Sequence, residues 1–267
     1  MTLFHLFLVA VIQGITEFLP ISSSGHLILL PELTGMDDQG QAVDVAVHVG
    51  TLGAVVLYFW RDVGRALAGT PRMMRGKIDT PQAQLAFCLL IATIPAILFG
   101  LVIKLTGLND TLRSMTVIGW TMLLFGIVLY WADQLGPEDQ KTDDWGIKHA
   151  IVLGLWQAIA LIPGTSRSGI TITGARFLGY AREDAARISM LMSIPVILAS
   201  GAVLGIEVAA DADARLARDG VIAAGFAFIA AFLALAIMMR LLRSVSFTPY
   251  VIYRILLGLI LLAIAYT

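Results

Sequence analysis

Two short polar stretches, far apart in an otherwise apolar chain, contain most of the side chains that could perform chemistry. The first runs from Gln13 to His26 and the second from Gln157 to Gly169, and each combines a proline with a loop of serine and glycine. Together they contain a carboxylate, an imidazole, several hydroxyl groups and the guanidinium of Arg167. A guanidinium binds phosphate oxygens in a fork, and an imidazole transfers protons near neutral pH. These residue types indicate chemistry on a phosphate group.

The two stretches are copies of one pattern, offset by 144 residues. The offset superimposes Gln13 on Gln157, Ile15 on Ile159, Ser22 on Ser166, Ser24 on Ser168, Gly25 on Gly169 and Gly35 on Gly179. The charged side chains differ, because Glu17 and His26 occur only in the first copy and Arg167 only in the second. We therefore predict that the two loops meet and share one site.

The composition predicts an integral membrane protein. Hydrophobic residues make up 58% of the chain and charged residues 14%, whereas soluble domains are about 25% charged. The near balance of 18 basic and 19 acidic residues gives no indication of a nucleic-acid partner. The single cysteine, Cys88, lies in an apolar segment, which excludes a disulfide framework and a thiolate metal site.

The apolar segments that flank the polar loops are poor transmembrane helices. Crossing a bilayer takes about 20 apolar residues, but 3–19 contains Gln13 and Glu17, and 24–34 is short. We interpret 3–34 and 148–179 as re-entrant helix-loop-helix hairpins. Non-helical backbone at membrane depth must be buried in protein or face a water-filled cavity, so a site is the natural reason for such loops.

Three fuller spans follow each hairpin. They are predicted at about 43–60, 83–105, 113–132, 186–206, 221–240 and 249–266. Because three is odd, the second half must enter the membrane from the opposite side. The expected fold is an all-α integral membrane protein, one domain over 1–267, with an inverted-topology repeat of six transmembrane helices plus two re-entrant hairpins. Repeat one covers about 1–132 and repeat two about 148–267, with the site at their interface.

The distribution of basic residues predicts the orientation, because short cytoplasmic loops are enriched in Lys and Arg. The loop at 61–81 contains five such residues, and 240–248 adds Arg240 and Arg243. We therefore place both loops and the acidic linker 133–148 in the cytoplasm. Both termini and the entrance of the first hairpin then lie outside.

The paired loops favour a multiply charged anion. Each loop precedes a short helix whose first N–H groups can bind an anion, and Arg167 adds a cation. Further donors are the hydroxyl groups of Ser22, Ser23, Ser24, Thr165, Ser166 and Ser168. The predicted phosphate-binding residues are Ser22, Ser24, Gly25, Thr165, Ser166, Ser168 and Thr171. Glu17 would repel a phosphate unless a divalent cation such as Mg²⁺ bridges them, so Glu17, with help from Gln13, is the predicted metal ligand.

Each of these candidate functional residues also has a simpler structural interpretation. Serines in such loops often cap helices, and a carboxylate within a membrane can be a structural hydrogen-bond partner. Asp44 and His48, one turn apart on the next helix, are interpreted mainly as packing residues, and Arg254 is assigned no role. Ionisable groups at membrane depth are nevertheless functional candidates by default, and Arg167 is the hardest to explain without an anion.

Over essentially its full length, the sequence resembles the family of undecaprenyl-pyrophosphate phosphatases, also known as bacitracin-resistance proteins. The resemblance is carried by Gln13-Gly14-Ile15-Thr16-Glu17, Pro20-Ile21-Ser22-Ser23-Ser24-Gly25-His26 and Pro163-Gly164-Thr165-Ser166-Arg167-Ser168-Gly169. It implies an acidic motif at Gln13 and Glu17, a catalytic Ser/His loop at Ser22, Ser23 and His26, and an arginine loop at Ser166 and Arg167, followed by Thr171. Many members have Glu where this chain has Gln13, so Glu17 alone would supply the charge.

The resemblance also implies an activity. A member removes the terminal phosphate of undecaprenyl pyrophosphate, which regenerates the lipid carrier for peptidoglycan synthesis, with a divalent cation (Mg²⁺ or Ca²⁺) as cofactor. It implies a multi-pass protein of the bacterial inner membrane, whose site opens to the periplasm and whose partners are this lipid and the bilayer, with a homodimer left open. The alternative is a polyprenyl-phosphate transporter or flippase, because inverted repeats with broken helices are also transporter architecture.

For the phosphatase, Arg167 and the loop N–H groups would hold the phosphates while Glu17 anchors the cation. Three attacking groups are compatible with the sequence: Ser23 activated by His26, His26 itself, or a water molecule that His26 orients. The Ser/His/Glu/Arg set favours an enzyme over a transporter, because a carrier needs anion contacts but no nucleophile.

Overall fold

The structure, a computed structural model, describes residues 1–35, 40–108, 112–209 and 214–267. Within these ranges it contains eleven α-helices, one short 3-10 helix at Thr142–Asp144 and no β-strand. The α-helices are α1 (Leu3–Phe18), α2 (Ser23–Thr34), α3 (Gly40–Tyr58), α4 (Trp60–Met74), α5 (Pro81–Thr106), α6 (Met115–Leu135), α7 (Ile147–Ile159), α8 (Arg167–Phe177), α9 (Arg182–Ala209), α10 (Ala214–Leu241) and α11 (Thr248–Tyr266). The predicted all-α class is confirmed.

Six of the helices in the described ranges are long and apolar enough to cross a membrane, as predicted. They are α3, α5 and α6 in the first half of the chain and α9, α10 and α11 in the second. Large apolar side chains cover their outer faces: Leu98 on α5 and Leu233 on α10, for example, are both 56% exposed. Such apolar surface suits a lipid environment and would be unfavourable in water.

The remaining short apolar helices form two helix-loop-helix units. In the first, α1 ends just before Pro20, and α2 begins after Ser22. In the second, α7 leads through a loop to α8, which begins after Ser166. Ser22 (φ 72°) and Ser166 (φ 68°) are the two non-glycine residues with positive φ in the described chain. Such a backbone costs on the order of 1–3 kcal/mol, so its occurrence at equivalent positions indicates a shared loop geometry.

Close backbone approaches fix the two units against the long helices. Helix α1 packs along α10, where a Cβ atom on Gly14 would lie 2.7 Å from the carbonyl oxygen of Ala227. Helix α7 packs along α5, where a Cβ atom on Gly154 would lie 2.9 Å from that of Ala92. Helices α3 and α9 also pack together, and α6 packs against α11. Both loops are thereby positioned inside the bundle.

The basic segment at 61–81, expected to be a loop, is largely the helix α4. It packs against α5, while large apolar and basic side chains such as Leu67 and Arg72 are exposed. Asp62, near its start, is buried and accepts two hydrogen bonds from Arg187 of α9, with N–O distances of 3.0 and 2.6 Å. The loop prediction overlooked one signal: the apolar residues of this short basic segment recur at helical spacing.

The acidic segment that separates the two halves is partly internal. Asp133, at the end of α6, is buried and accepts hydrogen bonds from Arg182 Nε at 2.6 Å and from the backbone N–H of Phe247 at 3.0 Å. Arg176 is also buried there, and its guanidinium donates to the carbonyl oxygens of Asp133, Gly136, Pro137 and Tyr180. This cluster ties the starts of α9 and α11 to the end of α6.

Candidate functional site

The two loops meet, as predicted, and line a shared cavity of about 220 Å³. Direct hydrogen bonds join them: the N–H of Gly164 donates to Ser24 Oγ at 3.1 Å, and Ser168 Oγ donates to the carbonyl oxygen of Leu19 at 2.9 Å. Of the residues singled out in the sequence, the cavity is lined by Glu17, Ser22, Ser23, Ser24, Ser166 and Arg167. The cavity therefore takes polar groups from both copies of the repeated pattern.

Glu17 lies at the centre of the polar contacts. Arg167 Nη2 donates to its Oε1 at 2.8 Å, and Gln13 Nε2 donates to its Oε2 at 2.7 Å. Ser23 Oγ is 3.5 Å from Oε2, at the limit of hydrogen bonding. The Glu17 side chain is 8% exposed and that of Arg167 15%, so the pair is poorly screened by solvent.

His48 also lines the cavity. Its interpretation as a packing residue did not predict this position. Its Nδ1 is 2.7 Å from the backbone carbonyl oxygen of Asp44, which can only accept, so Nδ1 carries the proton. In the neutral ring Nε2 then accepts from Gln13 Nε2 at 3.2 Å, and it lies 3.9 Å from Glu17 Oε2. Its place on a transmembrane helix was the available signal, since an ionisable group at that depth is a functional candidate.

His26 does not line this cavity, and the structure lacks the predicted pairing with Ser23. Its Nδ1 donates to the carbonyl oxygen of Ser22 at 2.7 Å, so the neutral Nε2 accepts from the hydroxyl group of Tyr253 at 2.6 Å. The two rings are nearly parallel, with an interplanar angle of 6° and centroids 5.5 Å apart. Both ring nitrogens are therefore engaged away from Ser23.

Other residues predicted for phosphate binding support the loops. Thr165 and Thr171 are buried, and Thr171 Oγ1 donates to the carbonyl oxygen of Arg167 at 2.8 Å. Ser168 is also buried behind the cavity. A Cβ atom on Gly25 would lie 2.5 Å from Met122 Sδ, so this glycine permits close packing of α2 on α6.

A buried cation, Arg254 of α11, lies behind both loops. Its guanidinium donates to the carbonyl oxygens of Pro20 (3.4 Å) in the first loop and of Gly164 (3.2 Å) and Thr165 (2.8 Å) in the second. The sequence marks Arg254 as an ionisable residue at membrane depth. It cannot reveal backbone carbonyl partners, because these carry no residue-type signature.

The donor set at the cavity suits a divalent cation that is shared with a substrate. Within the described ranges no three His, Cys, Asp or Glu residues form a metal cluster. Mg²⁺, however, is often held by one or two carboxylates together with substrate phosphates. Besides the Glu17 carboxylate, the carbonyl oxygen of the Gln13 side chain is buried without a hydrogen-bond partner. Gln13 turns its Nε2, and not this oxygen, toward Glu17, so the predicted pair of metal ligands stays a prediction.

Comparison with known proteins gives full-length matches. The family model described as "Bacitracin resistance protein BacA" matches residues 6–260. The chain is 72% identical over 267 residues to an undecaprenyl-diphosphatase of Dinoroseobacter shibae, with all of both chains covered. It is 70% identical over 266 residues to an undecaprenyl-diphosphatase of Jannaschia sp., again with both chains fully covered. With undecaprenyl-diphosphatase 1 of Rhodospirillum rubrum it shares 46% identity over 272 aligned positions, covering 100% of this chain and 96% of the relative.

Proposed function

Because this chain belongs to the bacitracin resistance protein BacA family, we propose that the cavity around Glu17 and Arg167 is where it cleaves its substrate. The protein is an undecaprenyl-diphosphatase, an integral membrane hydrolase that acts on a lipid pyrophosphate. The observation that carries the assignment is the contact of Glu17 with both Arg167 and Ser23 inside a cavity built from both loops. This contact joins an anion-binding cation, a carboxylate and a hydroxyl group.

Arg167 binds the head group in this proposal. Its guanidinium forms an ion pair with Glu17. A pyrophosphate offers more negative charge and matches the guanidinium fork, so it draws Arg167 away from the carboxylate. The first N–H groups of α2 add donors, because Ser22 makes no side-chain capping bond to them. The prenyl tail stays in the lipid beside the apolar outer faces of the helices.

Ser23 is the nucleophile in this proposal, because its hydroxyl group lies beside the Glu17 carboxylate. Ser23 Oγ forms a bond to the terminal phosphorus while its proton passes to Glu17. The bond from that phosphorus to the bridging oxygen breaks, and the lipid monophosphate leaves. Water then hydrolyses the phosphoserine, which releases inorganic phosphate and restores the hydroxyl group. The proton on Glu17 passes to the departing lipid monophosphate, so the carboxylate is ionised again before water attacks.

Glu17 would hold a divalent cation, Mg²⁺ or Ca²⁺, together with the substrate phosphates. The side-chain oxygen of Gln13 would help only after its amide group turned over, because its Nε2 now faces Glu17. A bound divalent cation supplies positive charge that stabilises the developing negative charge on the phosphates. His26 supports the reaction through the loop in this proposal: its Nδ1 proton holds the carbonyl group of Ser22, next to Ser23. A direct acid–base role of His26 would require its ring to leave Tyr253.

The activity assay measures phosphate release from undecaprenyl pyrophosphate by the purified protein, with and without Mg²⁺ or Ca²⁺. We expect cation-dependent release by the wild type and its loss in Glu17→Ala and Arg167→Ala. Ser23→Ala should also abolish release, since nucleophilic and acid–base roles contribute about 10²–10⁴-fold or more. Ser200→Ala is the matched control, because Ser200 lines the cavity but donates to its own helix at Val196.

A labelling experiment distinguishes the attacking group. Substrate with ³²P at the terminal phosphate is mixed with the enzyme and quenched in parallel in acid, which preserves phosphoserine, and in alkaline denaturant, which preserves phosphohistidine; the labelled residue is mapped by mass spectrometry. Label on Ser23 supports the proposed step. Label on His26 would identify His26, and not Ser23, as the nucleophile. The absence of any covalent label during rapid turnover would point to attack by water.

The inverted repeat and the orientation are also part of the proposal. The equivalent loop conformations of Ser22 and Ser166 support the repeat. The exposed basic residues of α4 support a cytoplasmic position of 61–81. A cavity open to the periplasmic side of the inner membrane belongs to the proposal because the family resemblance implies it. Accessibility of Lys77→Cys in a Cys88→Ser background tests this orientation, because a membrane-impermeant maleimide should leave that cysteine unlabelled in intact cells. Labelling of this cysteine from outside would contradict the proposed orientation and indicate the opposite one.

A further inference from the structure

Arg254 is a fully buried cation whose visible bonds all go to the backbone of the two functional loops. One end of its guanidinium, Nη1, reaches Pro20, and the other, Nη2, reaches Gly164 and Thr165. The two loops are far apart in the sequence, and this single side chain bridges them. It belongs to α11, outside both copies of the repeated pattern, so the repeat does not account for it.

The charge of Arg254 has no neutralising partner among the described residues. No carboxylate there lies within ion-pair distance of it, and its Nε is buried without a hydrogen-bond partner. Arg176, equally buried and also bonded to backbone carbonyls, contrasts with it, since Asp133 and Glu138 lie within 3.5 Å of its guanidinium. Burying an unpaired charge costs several kcal/mol, so this cation is retained at a substantial energetic cost directly behind an anion-binding cavity.

The position of the guanidinium fixes the direction of a cavity amide. In a trans peptide the C=O and N–H groups point in opposite directions. Because the Thr165 carbonyl group points at Arg254, the N–H of Ser166 points away from it, and Ser166 lines the cavity. The fit is tight: a Cβ atom on Gly169 would lie 2.6 Å from Arg254 Nη1. The guanidinium is thus wedged beneath the start of α8, which carries Arg167.

We propose that Arg254 is a positioning residue for the phosphatase reaction. It holds the two loops in register and orients the start of α8, with Arg167 and the Ser166 amide, toward the phosphate that is transferred. Its charge also adds a favourable potential for a polyanion at the cavity. This inference rests on the proposed location of the active site.

The test compares Arg254→Gln with Arg176→Gln, which removes a guanidinium of the same burial from a cluster outside the cavity. Both variants are purified, their folded fraction is measured by thermal unfolding, and kcat and KM are determined per folded molecule. We expect Arg254→Gln to lower kcat by about 10²-fold, the effect of a misplacement of about 1 Å at a reacting centre. Arg176→Gln should lower the unfolding temperature but leave kcat per folded molecule unchanged.

Two further variants separate positioning from folding. Arg254→Lys keeps the charge but reaches fewer carbonyl groups, so it should recover part of the lost kcat. Gly169→Ala keeps Arg254 and pushes on its guanidinium, so it should lower kcat even if Arg254→Gln does not fold. Wild-type kcat in folded Arg254→Gln or in Gly169→Ala, or an equal loss in Arg176→Gln, would overturn the proposal. Failure of wild type and Arg176→Gln to release phosphate would instead overturn the proposed function.

Discussion

The ion pair between Glu17 and Arg167 predicts that removing the carboxylate strengthens binding of the head group while abolishing turnover. Arg167 Nη2 is 2.8 Å from Glu17 Oε1, so the carboxylate competes with a pyrophosphate for this guanidinium. In Glu17→Gln the guanidinium is free. The variant should therefore bind a non-hydrolysable prenyl methylenediphosphonate more tightly than wild type when no divalent cation is present.

The size of the gain follows from the geometry. Two unit charges about 4 Å apart attract each other by about 4 kcal/mol at an effective dielectric constant of about 20. Part of that attraction is offset, because each charged side chain regains contact with water and neighbouring hydroxyl groups when the two separate. We therefore expect that about 1.4 kcal/mol reaches the measured affinity, which corresponds to about tenfold in Kd.

The assay is titration calorimetry in nanodiscs with EDTA, using wild type, Glu17→Gln, Arg167→Gln and the double variant. A double-mutant cycle isolates the coupling of the two side chains. If the gain from Glu17→Gln disappears in the Arg167→Gln background, the release of Arg167 explains it. If the gain persists there, simple repulsion by Glu17 is responsible. If Glu17→Gln binds no more tightly than wild type, the ion pair does not restrain Arg167 and the reasoning is refuted.

Three further variants address single contacts. Arg167→Lys keeps a charge but loses the fork, so kcat/KM should fall at least about tenfold; near-normal turnover would contradict bidentate phosphate binding. Tyr253→Phe removes the donor to His26, and the loss of about 1 kcal/mol should lower turnover by about fivefold; unchanged turnover would assign that hydrogen bond no function. Asp62→Asn leaves Arg187 without its carboxylate partner and should destabilise the protein by about 1–2 kcal/mol; an unchanged unfolding temperature in detergent would show that the pair contributes little.

Much of the fold follows from local signals in the sequence. Long apolar segments predicted six membrane helices, and Pro20 and Pro163 predicted where the helices break before the loops. The contact between the loops followed from a comparison of two distant copies. These features could be predicted because hydrophobic periodicity, proline and repetition are properties of the chain itself.

The partners of the site residues could not be predicted in the same way. His26 bonds to Tyr253, which is 227 residues away, and Arg254 bonds to carbonyl groups, which every residue has. His48 reaches Glu17 only because α3 packs beside α1. Each of these contacts depends on which helices pack against each other. Apolar sequence patterns do not identify these packing partners, because all membrane helices are similarly apolar.

The two loops differ in whether the serine before the following helix caps that helix. This difference matches the different roles that we propose for the two loops. Ser166 caps α8, because its hydroxyl group accepts from the N–H of Gly169 at 3.1 Å. Ser22 has the same backbone conformation but makes no such bond to α2, and its hydroxyl group lies 3.0 Å from that of Ser24. An omitted cap costs about 1 kcal/mol, a cost that a binding site can justify. In the proposed site, the uncapped first turn of α2 offers its N–H groups to the anion, while the capped α8 supplies Arg167.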